Sequence, residues 1–170
     1  MARATDIIGA AHRHGRPVTD TVILDYAQRS TAEGAVTGVK GTTIDIHLHG
    51  TVRLRTDDLL LLDDGSLVEV VAAAEPLLEA RGADVAALAR IAWHLGDRHI
   101  AVQLLPNRIR VLRDDAVETL LAALGAKVTA IDAPFEPEGG AYAPPQHSHD
   151  HGHVHDEHCG HDHHHGHKHD

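Results

Sequence analysis

Histidine is the residue whose placement first suggests chemistry. The chain holds eighteen histidines among its 170 residues, and twelve of them crowd into the last twenty-four positions. They are His147, His149, His151, His153, His155, His158, His161, His163, His164, His165, His167 and His169, interleaved with Asp, Gly and the chain's one cysteine, Cys159. Neutral imidazole ligates Ni2+, Zn2+ and Cu2+, while Asp adds oxygen donors and Gly a pliable backbone. The segment is a polyligand able to wrap an ion without a preformed cage. A purification tag would be an unbroken His block rather than this mixture. Storage, sensing and transfer of metal are all compatible with it.

The other six histidines lie in the body. His94 and His99 fall in Trp93-His94-Leu95-Gly96-Asp97-Arg98-His99-Ile100-Ala101-Val102-Gln103. A helix end, a Gly turn and a strand start put His99 at an exposed corner, free to ligate, although spacing alone favours a solvated turn residue. His12 and His14 beside Gly15 suit a polar loop, and His47 and His49 alternate on one strand face. A hydrolytic metalloenzyme needs about three protein ligands and an open position. The body offers no His-Glu-x-x-His or comparable cluster, and Cys159 lacks the fixed base that a cysteine nucleophile requires. The acidic pairs Asp57-Asp58, Asp63-Asp64 and Asp114-Asp115 read as turn and cap residues. The expectation is a binding protein, not an enzyme.

The elements that must position these residues fall into two groups, an α+β organisation. Up to Ala74 the pattern is all-β: Thr21 to Tyr26, Val36 to Lys40 and Thr43 to Leu48 around a Gly41 turn, then Leu59 to Leu62 and Leu67 to Val71 across Asp-Asp-Gly-Ser. No helical period shows there. Beyond it, Asp84 caps a helix carrying Val85, Leu88, Ala92 and Leu95, with Gly96 just past its end. Ile100 to Leu105 and Arg108 to Leu112 form a hairpin through Pro106-Asn107, and a second helix runs from Asp114 to a stop at Gly125. Lys127 to Ile131 is a last strand. A strand from Val68 to Leu78 completes the ferredoxin-like order βαββαβ. The expected domains are a β-rich unit over 1–74, the ferredoxin-like unit over 75–142 and a disordered His-rich tail over 143–170, where apolar side chains nearly vanish.

Composition narrows the partners. A formal charge of -10 with 2% aromatic residues argues against nucleic acid, which calls for a basic surface. The longest apolar runs fall far short of the ~20 residues of a membrane helix. With one cysteine and no apolar leader stretch at the N-terminus, the expected compartment is the cytoplasm.

Two motifs resemble those of one family. Trp93 to Gln103 is similar to the His-Leu-Gly-Asn-Arg-His-x-Pro-x-Gln signature of the urease accessory protein UreE, a nickel metallochaperone. Ala133-Pro134-Phe135-Glu136-Pro137-Glu138-Gly139-Gly140-Ala141-Tyr142 resembles that family's Pro-Phe-Glu-Pro-Glu-x-Gly-Ala-Tyr ending. The resemblance implies a β-rich N-terminal domain, sometimes likened to a peptide-binding module, and a ferredoxin-like metal domain that forms a homodimer. It assigns the ligand role to His99, given by both protomers to one ion, and a structural role to His94. It implies Ni2+ as cargo, with Zn2+ or Cu2+ able to bind as well. The implied partners are the urease-maturation GTPase and the apo-urease accessory complex. Asp97 in place of Asn and Ala101 in place of Pro imply a looser turn, and Arg108-Ile-Arg110 offers no second histidine pair. The alternative function is a nickel or zinc buffer with no delivery partner.

Overall fold

The computed structural model describes residues 2–9, 12, 15–50 and 52–139. The expected tail, together with His14, Cys159 and the twelve tail histidines, lies outside the described residues.

The N-terminal strands are β1 (Ala2–Ile8), β2 (Val18–Leu24), β3 (Glu33–Thr37), β4 (Thr43–His47), β5 (Leu59–Leu62) and β6 (Leu67–Ala72), in one sheet ordered β2-β6-β5-β1-β4-β3. Their inward residues, among them Ala4, Val22, Ile44, Leu60, Val68 and Val70, form one buried cluster. Two elements here escaped the sequence reading. β1 mixes Arg, Thr and Asp with Ala and a terminal Ile pair, so its alternation is faint. The helix α1 (Tyr26–Arg29) is a single turn, too short for a period, yet it carries a full capping box between Asp25 and Gln28. The strand expected at Val36 to Lys40 lies earlier, at Glu33–Thr37, because Gly38 to Gly41 forms the turn.

Asp20, buried in β2, explains how that turn closes the sheet. Its carboxylate accepts the amides of Thr21 (2.7 Å), Lys40 (2.9 Å) and Thr42 (3.1 Å), while Val39 N–H donates to Thr21 O (2.8 Å). Hydrogen bonding from Thr42, and then from the Lys40 amide, holds this carboxyl well below the usual carboxylate range. Any side chain at Gly38 would collide with the Asp20 carboxylate. The sheet thereby curls into a half-barrel pinned at its edge.

The expected strand from Val68 to Leu78 is in fact two strands. β6 stays in the first sheet, and β7 (Ala74–Arg81) starts a second with only Ala73 between them. The second unit continues with α2 (Val85–Asp97), β8 (Gln103–Leu105), β9 (Arg108–Leu112), α3 (Asp115–Ala123) and β10 (Lys127–Pro134). The sheet order β10-β7-β9-β8 is the ferredoxin-like arrangement. Leu78, Ala80, Ile109 and Val111 on one sheet face meet Ile91 and Leu95 of α2 and Leu121 of α3 in a single core. Asp84 and Asp114 cap the two helices by accepting amides in their first turns, as the sequence indicated.

A strap joins the two units. Phe135, fully buried after β10, meets the Tyr26 ring edge-on at 5.4 Å. Arg29, also buried, donates to the carbonyls of Leu24 (3.2 Å), Leu54 (3.2 Å) and Phe135. Glu136 accepts Thr56 N–H (3.0 Å), and Glu75 of β7 accepts Tyr26 N–H (2.8 Å). The Pro-Phe-Glu-Pro-Glu motif is thus an inter-domain fastening. Beyond it, Glu138 N–H donates to Val102 O (2.7 Å), three residues from His99.

Candidate metal site

The corner at His99 is set by how α2 ends. The helix runs one residue past the Gly96 stop read from the sequence, to Asp97, with Arg98 as C-cap. His99 N–H donates to Gly96 O (2.9 Å), and Ile100 N–H reaches back to Leu95 O (3.0 Å). This pair of bonds is a Schellman closure, which needs a left-handed residue between cap and exit, usually glycine. Here that residue is His99, with φ of 56°. Among the described residues only Asp57 and His99 adopt positive φ without being glycine. An L-residue pays about 1 kcal/mol or more to sit there. Leu95 and Ile100, on either side of the closure, both pack in the domain core, which holds the strained corner in place.

The consequence is that the His99 side chain leaves the protein at an exposed, backbone-locked position. The turn expected to be looser for want of Pro and Asn is closed by the bonds to Gly96 and Leu95. His94 is half-buried one turn earlier, with its ring edge-on to Trp93 at 5.0 Å. Along α2, Val85, Ala89 and Trp93 are exposed at four-residue spacing, an apolar stripe running toward the corner.

Among the described residues, the other body histidines, His12, His47 and His49, belong to the N-terminal unit. His47 pairs with Asp45 (3.0 Å) on β4, and His12 N–H donates to Gly9 O (2.8 Å). Among the described residues, no three His, Cys, Asp or Glu side chains come together in a way that could hold a metal ion. His99 stands as one imidazole presented outward, so a complete coordination shell must draw donors from elsewhere. The exposed corner expected at His99 is present, but its left-handed backbone was not foreseen. The available signal was the absence of Gly or Asn anywhere after the helix, between Asp97 and Val102.

Comparison with known proteins decides the family. The model described as UreE urease accessory protein, C-terminal domain, matches residues 75–170, and the corresponding N-terminal domain model matches residues 4–73. The chain belongs to the UreE urease accessory protein family. The UreE of Rhodopseudomonas palustris (strain BisB18) is 50% identical over 152 residues, 89% of this chain and 72% of that protein. UreE of Bradyrhizobium sp. (strain BTAi1 / ATCC BAA-1182) is 47% identical across 93% of this chain and 74% of its own. UreE of Chelativorans sp. (strain BNC1) is 39% identical across 93% and 99% respectively. The boundary between the two UreE domain matches falls at the β6–β7 junction, where the chain changes sheets. As for membranes, no helix among the described residues is long and apolar enough to cross one.

Proposed function

We propose that this UreE-family protein is a nickel-binding metallochaperone for urease maturation, acting by metal transfer rather than catalysis. The observation that carries the reading is His99: an imidazole held outward at a closed helix end, in a position where glycine would be more stable. A ligand displayed this way by one protomer can meet its copy from a second. The exposed Val85, Ala89 and Trp93 stripe offers apolar surface for that pairing. Two imidazoles make an under-coordinated site, completed by water or by histidines of 147–169, and such a site gives up its ion readily. The twelve tail histidines supply capture capacity. Affinity alone does not select Ni2+, since Cu2+ binds such donors more tightly. Selection then rests on geometry, metal supply and the docked partner, for which the family points to the urease-maturation GTPase and the accessory complex of apo-urease in the cytoplasm.

The abundance of tail histidines also favours a second reading, a nickel or zinc buffer with no delivery partner. Reconstituted urease activation separates the two. With this protein as the only nickel source, His99→Asn slows activation while the full chain supports it. Equal activation by both, or by neither, contradicts the transfer role.

A further inference from the structure

We propose that the open face of the ferredoxin-like sheet carries an oxyanion-binding site built by Arg81, Arg108 and Arg110 around Glu79. This goes beyond the metal reading and does not rest on it. The helices cover only one face of that sheet. On the other, the register sets Lys127 opposite Arg81 and, in the next row, aligns Thr129, Glu79, Arg110 and Gln103, with Arg108 two residues before Arg110 on β9.

Three guanidiniums converge on a single carboxylate. Arg81 Nη2 donates to Glu79 Oε1 (2.9 Å) and Arg110 Nε to Glu79 Oε2 (3.0 Å). Arg108 Nε sits 3.1 Å from that second oxygen as an ion pair, yet it is buried with no hydrogen bond. Burial pushes the Glu79 carboxyl up, but hydrogen bonds from Arg110 and Arg81 and the charge of Arg108 outweigh this and hold it low, so it stays ionised. One negative charge therefore faces three positive ones, and Lys127 lies directly opposite Arg81 across the strand pair.

Glu79 offsets one of these positive charges, and the like charges that remain repel at short range. The cluster is left with an excess of two positive charges inside a chain of formal charge -10. A second anion bridging the outward guanidinium nitrogens would relieve the repulsion. Guanidinium forks match the paired oxygens of a carboxylate or phosphate. The ligand class is thus an oxyanion: a phosphate group, or a carboxylate side chain of a docking protein.

The test follows the Arg108 and Arg110 Nε–H signals of the full chain by NMR. Inorganic phosphate is titrated against chloride at matched ionic strength, and then triglutamate peptide. Saturable shifts with phosphate but not chloride, with Kd on the order of 1 mM, are expected. Arg81→Gln and Lys127→Gln, both at exposed positions, each weaken binding by about tenfold. Glu79→Gln, which removes the competing carboxylate, tightens it by a similar factor. Saturation by triglutamate identifies a carboxylate source, and saturation by phosphate alone a phosphate source. Identical, non-saturating drift with phosphate, triglutamate and chloride overturns the proposal. So does unchanged affinity in both Arg81→Gln and Lys127→Gln.

Discussion

The two long helices end in the same way but with different residues at the decisive position. After α3, Gly125 N–H donates to Ala122 O (3.0 Å) and Ala126 N–H to Leu121 O (3.0 Å), with Gly125 at φ of 74°. After α2 the same two bonds form around His99 at φ of 56°. Leu121 and Leu95 occupy the equivalent inner position, and both are fully buried. Geometry, hydrogen bonding and packing match; only the side chain differs. At the α3 end the sequence takes the residue that costs least. At the α2 end a histidine carries the strained conformation, and under the proposed transfer role that strain serves to display an imidazole.

A second difference is bracing. The segment after His99 is held by the strap through the Glu138–Val102 bond, and the strap is held in turn by Arg29. None of these bonds reaches the α3 end. The largest expected effect follows from breaking that brace. Arg29→Ala leaves the Leu24, Leu54 and Phe135 carbonyls without their donor and should cost about 3 kcal/mol in urea unfolding. Hydrogen exchange should then quicken at Ile100 to Gln103 more than at Ala126. Equal acceleration at both ends would show that the brace does not distinguish them.

Exchanging the corner residues gives smaller effects of opposite sign. Gly125→His should destabilise by about 1–2 kcal/mol, since α3 would then carry the strain that α2 now carries. His99→Gly should stabilise by up to about 1 kcal/mol, offset partly by the greater freedom of glycine in the unfolded chain. Denaturation midpoints measure both. A loss of stability in His99→Gly would mean that the histidine side chain makes contacts that outweigh its backbone strain.

Much of this was legible in the residues. Asp84 and Asp114 stood before clear helical periods, and Gly125 marked a stop, so both helices and the ferredoxin-like order could be read directly. The α2 terminus misled because Gly96 suggested an end, whereas the closure three residues later used a residue that gives no punctuation. The run Leu67 to Leu78 is apolar but for Glu69, Glu75 and Pro76, and no Gly or turn pair marks its change of sheet at Ala73. Arg29 looked like any surface arginine on a segment without periodicity. Its burial depends on Phe135, over a hundred positions away, and sequence spacing carries no information about such a meeting. The arginine cluster was equally hidden, because Arg110 and Arg108 reach Glu79 only through the pairing of β7 with β9.

The most direct measurement is nickel titration by calorimetry, with sedimentation in parallel, on a chain ending at Ala143 and on the same chain with His99→Asn. Asparagine tolerates the left-handed backbone, so the fold is kept while the imidazole is lost. One ion per dimer in the parent and none in the variant is the predicted result. Equal nickel stoichiometry in both would remove His99 from the metal site, and the strained corner would then have no functional explanation.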